Sequence, residues 1–453
     1  MTDRPLGAKR APTTAEIFSM TWPMALRAVM MFSIVIIDLY LVASLGEEAV
    51  AAIGIANIVA VLVMGTNFAF ANAMQVKVAQ AFGTDDPLEL KTAFYAGLVI
   101  NLILVATGII LILVFGPMVI DVLAHSPQIA KGATQYLLVF TLVLLAESLS
   151  AVLTSYFNGC GRTKLAFFSF LISAPLNIGS SIVLIFGLYG FPELGLVGAA
   201  WGSFIGAAMR LVYLGAMMSR STGYFAGVKG WVHGTLLAAL RRQFAFSWPI
   251  AATFVSMTFA NQACSAIYAN LNVYQFAAIT LIMPWVRIAG QLSYTWTQAT
   301  GILVAQSLGK SLPEAALEEF LGRAWRAAFV AAGVVAVIYG GIVLASGWIY
   351  ADLARETRAT LFGFLPILLL LPFPRVSNAI CGNVLRAAGD SKSSMKIHLG
   401  ANWLFMVPAT AVCVLILDLS AVWVFALFLA EELVKFLPFH RRIWSKEWLT
   451  LKT

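Results

Sequence analysis

The sequence predicts an all-α polytopic membrane protein of twelve transmembrane helices, arranged as two pseudo-symmetric six-helix bundles. Three observations predict it. Of the 453 residues, 60% are hydrophobic and 11% charged, with a mean hydropathy of +0.88, a composition outside the range of soluble domains. Apolar runs of about 20 residues, enough to cross a hydrocarbon layer, recur from end to end. Short words also return at a nearly constant offset, the mark of an internal repeat.

Taken in order, the polar start (1–17) shows no small-residue cleavage site before a long apolar segment, so it reads as a cytoplasmic tail with the first helix as its own insertion signal. Spans bounded by Gly, Pro or charge follow at 18–43, 49–81, 90–118, 130–156, 164–188, 195–219, 241–270, 275–307, 319–347, 358–385, 395–417 and 421–442. The second and eighth exceed the hydrocarbon thickness, which predicts tilt or projection. The bundles are then 18–219 and 241–443, joined by a linker at 220–240 and followed by a tail at 444–453. Loops on the N-terminal side carry Arg10, Lys77, Arg162, Lys164, Arg241, Lys310, Lys392 and Arg441, against Lys131, Arg355 and Arg358 opposite. That asymmetry places both termini in the cytoplasm, and the membrane would be the plasma membrane, or the inner membrane of a Gram-negative host. The Gly-rich, basic linker suggests a strap on the membrane surface or a passive connection.

The repeat is legible residue by residue. Trp22-Pro23 returns as Trp248-Pro249, Ala51-Ala52-Ile53 as Ala277-Ala278-Ile279, and Val78-Ala79-Gln80 as Val304-Ala305-Gln306, all 226 positions later. Gly161-Arg162-Thr163-Lys164 answers Gly389-Asp390-Ser391-Lys392 at 228. Six helices is an even number, so both halves enter the membrane from the same side as a parallel repeat.

Several classes are disfavoured. The net charge of +8 is spread over loops with no basic run interleaved with aromatics, so topology explains it and nucleic acid is not an expected partner. Cys160, Cys264, Cys381 and Cys413 form no CxxC pair and lie near no His at zinc-ligand spacing, so neither a disulfide framework nor a metal site is inferred. His125, His233, His398 and His440 fall near predicted helix ends and read as solvated. No GxxxxGK[ST], HExxH, GxSxG or GxGD pattern occurs. Direct use of ATP and intramembrane enzymology are therefore not expected, and an ion gradient is the remaining energy source.

The residue that calls for function is Asp38, a lone carboxylate in the apolar stretch Met30–Leu45. An ionised group there costs roughly 2.5–3.5 kcal/mol on insertion scales, so it needs a partner, a proton or water. One charge moved across about 100 mV yields about 2.3 kcal/mol, so a carboxylate that binds either an ion or a cationic solute can link the two flows.

Three motifs then resemble the multidrug and toxic compound extrusion (MATE) transporters of the MOP flippase superfamily. They are the Asp38 helix running into AVAAIGIAN (49–57), the loop NGCGRTK (158–164), and YGFPELGLVGAAWGS (189–203). The resemblance implies a V-shaped pair of bundles that opens alternately outward and inward. It implies export of amphipathic, often cationic compounds in exchange for H⁺ or Na⁺, with no other cofactor and no catalytic residues, by a protein expected to be a monomer. In one bacterial branch the helix 1 acid works with an Asn and an Asp on helix 5 and a hydroxyl on helix 6. Here these positions are Asn177, Ser181 in place of the Asp, and Ser203. Losing the second carboxylate weakens a Na⁺ site, because hard cations prefer several oxygens with charge among them, and so H⁺ is favoured. A second branch uses acids on helices 7 and 10. Helix 7 has none here, Cys264 is the repeat mate of Asp38, and helix 10 bears Arg375.

Glu147 in helix 4 reads as a second proton site, or as one member of an ion pair across the halves with its repeat mate Arg375. Tyr40, Asn57, Asn261, Gln262, Trp285, Trp296 and Gln298 are the candidate substrate contacts, since uncharged polar groups mixed with aromatics suit flat cations. Arg287 and Arg375 complicate a purely cationic pathway, and one of them could favour anionic or zwitterionic cargo. The rival reading is a flippase for lipid-linked oligosaccharides or another amphiphile, which needs a larger and more cationic cavity.

The orientation is testable. With the four native cysteines replaced, Ser221→Cys should stay unreactive toward an impermeant maleimide in intact cells and label after permeabilisation. Labelling of unpermeabilised cells would invert the topology.

Overall fold

The computed structural model describes residues 10–221, 225, 227–232, 234–350 and 353–449, and among these the chain is helical, with no strand. The N-terminal half holds α1 (Thr14–Ala43), α2 (Glu47–Thr84), α3 (Pro87–Leu123), α4 (Pro127–Gly159), α5 (Thr163–Phe186) and α6 (Gly195–Ser221). The C-terminal half holds α7 (Leu236–Tyr268), α8 (Val273–Gly309), α9 (Glu314–Ile349), a bent pair α10a (Arg355–Leu370) and α10b (Pro372–Ala387), α11 (Ser391–Ile416) and α12 (Ala421–Trp444).

Ten of these helices are long and apolar enough to cross a membrane, and the bent pair makes an eleventh if it is one span. The 24-residue α12 is long enough by length, but it carries Glu431, Glu432 and Lys435 near its middle. Starts are written locally. Asp86 accepts from the Leu88 N–H ahead of Pro87, Ser126 accepts from Ile129 ahead of Pro127, and Asn272 accepts from Gln275, each satisfying a first-turn donor.

Two helices depart from the straight spans expected. The tenth span, read as a single helix over 358–385, breaks by 45° between Leu370 and Pro372, because Pro366, Pro372 and Pro374 each remove a backbone donor. In α11, π-helical turns at Gly400–Met406 and Val412–Ile416 flank the segment that contains Pro408, the usual way a helix absorbs such a defect.

By contact the chain forms two compact units. One is Trp22–Ala251, and the other is Ala252 onward together with the start of the chain up to Thr21. These contact boundaries fall inside α1 and α7, beside the division expected at the 220–240 linker. In the first unit Phe244 of α7 stacks on Phe70 of α2 (5.7 Å) and Lys77 lies over Phe246 (4.6 Å). In the second, Arg323 of α9 donates to the Pro12 carbonyl (3.1 Å). The described part of the linker is docked: Lys91 donates to the carbonyls of Val228 (2.8 Å) and Gly230 (3.1 Å), and Phe225 is buried beside Phe94, Tyr95 and Tyr156. His233 lies outside the described residues.

In the first unit Ala52, Ala56 and Ala60 of α2 are buried beside Ile112, Tyr136 and Leu144, and small residues on one helix face let helices approach closely without a hydrophobic drive from lipid. The tightest seam is α5 on α6. Gly198, Gly202 and Gly206 recur every four residues, so they share one face. A Cβ on Gly198 would meet the Leu184 carbonyl oxygen at 2.5 Å, on Gly202 the Ser181 Oγ at 2.1 Å, and on Gly206 the Asn177 Cβ at 2.7 Å. The second unit has aromatic contacts at its centre. Phe364 stacks on Phe425 (4.3 Å), and the buried Tyr339 hydroxyl donates to the Val286 carbonyl (2.8 Å).

The seam predicts a stability difference. Gly202→Ala overpacks it and should cost ~1–3 kcal/mol, read as a lower thermal midpoint of the purified protein in detergent. Gly179→Ala on α5, whose Cβ meets nothing within 4 Å, should leave the midpoint unchanged or raise it.

Candidate functional site

Within the first unit α1 presents Asp38 half-buried, five residues before the helix ends. Its Oδ1 is buried with no hydrogen-bond partner among the described residues, while the Ser203 side chain of α6 stands beside the carboxyl group. Buried Tyr136 of α4 lies within electrostatic range. No Lys or Arg among the described residues pairs with it. Ser203 reaches α1 because Gly202, one residue before it, lets α6 lie flush against α5.

Asn177 and Ser181 occupy that seam. Both are buried, and Asn177 Oδ1 and Ser181 Oγ have no partner. Neither is hydrogen-bonded to Asp38, so the structure joins Asp38 with Ser203 and leaves these two oxygens one helix contact away, against Gly206 and Gly202.

Glu147 stands differently from either expectation. It is ion-paired and hydrogen-bonded to Arg210 of α6, within its own half, and Arg375 pairs elsewhere. Arg210 is 7% exposed and lies over the Phe170 ring (4.0 Å), which Arg27 of α1 also approaches (5.7 Å). Arg27 is within electrostatic range of both Glu147 and Arg210, and its Nε is buried without a partner. Glu147 pairs directly with Arg210, while Arg27 has no carboxylate at ion-pair distance among the described residues. Neither Arg27 nor Arg210 was anticipated; the signal was present, since each is a cation inside a span that the loop argument leaves unassigned.

In the second unit a cavity of about 320 Å³ opens between α7, α8, α10b, α11 and α12. Its acids come from α12, not from helices 7 or 10. Glu432 is buried and accepts from Lys435 (3.0 Å), Arg375 (3.5 Å) and the Asn378 amide (2.9 Å), and Lys435 also donates to Glu431 (3.0 Å). Of the candidate substrate contacts, Asn261 lines this cavity.

The other candidates lie elsewhere. Trp296 is buried with its Nε1 donating to the Ala324 carbonyl (3.2 Å), and Trp285 donates to the Tyr350 hydroxyl (3.0 Å), both packing roles. Gln262 and Asn57 are exposed, Gln298 is half-buried, and Tyr40 is 78% exposed. Two histidines expected at the surface are also placed inside. His440 is buried between the Ser377 hydroxyl (2.8 Å) and the Phe436 carbonyl (2.8 Å), and His398 lines the cavity with its Nδ1 buried and unpartnered. His125 is exposed.

Comparison with known proteins is consistent across three kinds of match. The MatE family model matches residues 23–183. The chain is 26% identical to a probable multidrug resistance protein NorM of Caulobacter vibrioides, over 74% of this chain and 71% of that protein. It is 22% identical to the uncharacterized transporter YisQ of Bacillus subtilis, over 97% and 96%. Among solved folds it is similar to an outward-facing multidrug resistance MATE family transporter of the MOP superfamily (TM-score 0.83, 17% identity, 97% and 96% covered). It is also similar to a eukaryotic MATE transporter (TM-score 0.81, 17% identity, 96% of each).

The α4–α6 ion pair gives a stability prediction. Glu147→Gln leaves Arg210 uncompensated in apolar surroundings and should cost about 3–5 kcal/mol, whereas Glu147→Gln combined with Arg210→Met should recover most of it. Thermal denaturation of the single and double variants checks this. A double variant no more stable than the single would show that Arg210 is not what Glu147 neutralises.

Proposed function

We propose that this chain, which resembles the multidrug and toxic compound extrusion transporters over the matches just given, is a secondary active efflux transporter that exchanges amphipathic, cationic compounds for H⁺ by alternating access. Asp38 is the coupling group. The observation that carries the reading is the state of that side chain: a carboxylate in a membrane-spanning helix with one oxygen buried and unpartnered, a single hydroxyl contact at Ser203 and no basic partner. Such a group is stable in two ways, protonated or facing a cation.

The exchange follows from that exclusivity. A cationic solute favours ionised Asp38, and protonation favours release of the solute, so the two ligands oppose each other and by linkage do so reciprocally. The proton is preferred over Na⁺ because Glu147 is occupied by Arg210, and because Ser181 turns its hydroxyl into the Gly202 seam, where it adds no charge for a hard cation. Asn177 and Ser181 are read as supports of the seam that positions Ser203. In this reading α12 is the twelfth span, both termini are cytoplasmic, and one chain is the working unit in the plasma membrane. A lipid-linked oligosaccharide needs more room than the 320 Å³ cavity of the second unit, which sits at the small end for ligand pockets of roughly 300–1,000 Å³.

Asp38→Asn keeps shape and removes ionisation. In inside-out vesicles an imposed ΔpH should drive uptake of a fluorescent lipophilic cation by the native protein and not by the variant, with the variant present at normal abundance. Adding the cation to weakly buffered purified protein should release protons, and Asp38→Asn should abolish that release. Normal export by the variant, or uptake driven by a Na⁺ gradient at zero ΔpH, would overturn the reading.

A further inference from the structure

The cavity of the second unit carries charge that the Asp38 exchange does not use. Its wall holds four cationic side chains, Arg287, Arg375, Arg386 and Lys435, and two acids, Glu431 and Glu432. The acids are already engaged: Lys435 lies between them, and Arg375 shares Glu432. Arg287 and Arg386 are the excess. Neither meets a carboxylate at ion-pair distance among the described residues.

The two guanidinium groups are also differently held. Arg386 donates to the Asn383 amide oxygen (3.0 Å), while the Asn383 amide nitrogen donates to the Thr297 hydroxyl (3.2 Å) and the Ala379 carbonyl (2.9 Å). Gly301 of α8 makes room for this, since a Cβ there would stand 2.9 Å from the Asn383 Cβ. Asn383 is therefore a positioning residue that aims Arg386. Among the described residues exposed Arg287 makes no hydrogen bond, and buried His398 Nδ1 on the same wall has none either.

Arg386, in the last turn of α10b, is half-buried, Arg287 is exposed on the same wall, and both lack a carboxylate partner among the described residues. An anion entering the cavity supplies that partner. Planar guanidinium forks match carboxylate, sulfonate and phosphate oxygens in pairs. The rest of the wall, with Phe254, Met257, Met283 and Phe428, is apolar and adaptable. From this we infer that the cavity binds an amphipathic organic anion, with its oxyanion on Arg386 and Arg287 and its apolar body against the Met and Phe side chains. The site lies in the C-terminal unit and does not rest on the role given to Asp38. A transporter with both sites would accept zwitterionic or anionic amphiphiles as well as cations.

Fluorescence anisotropy of the purified full-length protein in detergent tests it, with dansylglycine as the anionic probe and dansylamide as the neutral probe with the same ring. The native protein should bind dansylglycine about tenfold or more tighter, the gain expected of a charge-assisted hydrogen bond. Arg287→Gln with Arg386→Gln should erase the preference while dansylamide binding persists, Arg386→Lys should retain part of it, and Asp38→Asn should leave both probes unchanged. Equal affinity of the native protein for the two probes, or a preference that survives in the double variant, would overturn the inference. Should the double variant fail to fold, the native comparison together with Arg386→Lys still decides. A lysine variant that loses no preference would count against guanidinium recognition.

Discussion

An apolar interior gives a buried charge nothing to lean on, and the arrangement of this protein follows from how the charges inside each helical unit are answered. In the N-terminal unit Glu147 answers Arg210, with Arg27 close by and Phe170 taking part of the cationic load through its ring face. In the C-terminal unit Glu431 and Glu432 answer Lys435 and Arg375. These pairs lock α4 to α6 and α10b to α12, and they use up the acids that a first inspection would assign to chemistry. What remains unanswered is informative: a carboxyl oxygen on α1 and two guanidinium groups around a cavity. The two remainders have opposite sign and lie in different units.

Much of the architecture was legible in advance. Hydropathy and punctuation located the helices to within a few residues, because a span must satisfy its backbone internally and cannot be short. Asp38 stands out because a lone acid in an apolar run needs a partner, a proton or water, and Ser203 is matched to it through the resemblance of the motif around 189–203. The bend at Leu370–Pro372 was missed although three prolines announce it, since counting apolar residues is blind to a lost backbone donor.

The pairing of charges was the least legible part. Partners such as Glu147 and Arg210 are 63 residues apart, and the repeat suggested Arg375 instead, because symmetry of sequence is not symmetry of contact. Attention to helices 7 and 10 hid the acids of α12. The candidate aromatics fared as aromatics in a helical core generally do, with Trp285 and Trp296 spending their N–H groups on neighbouring helices. His398 and His440 looked like helix-end surface residues in one dimension and prove to be wedged between helices in three.

The glycine face of α6 has a mechanical corollary. Where backbone meets backbone there is no side chain to bend out of the way, so a shift of α6 along α5 by one residue, about 1.5 Å, would drive a larger side chain into a slot shaped for hydrogen. Only a jump of four residues, about 6 Å, brings glycine back to glycine. The seam thus behaves as a keyed joint: α5 and α6 travel as one piece or not at all. The distance from Ser203 to Asp38 is then set by the attitude of α1 alone.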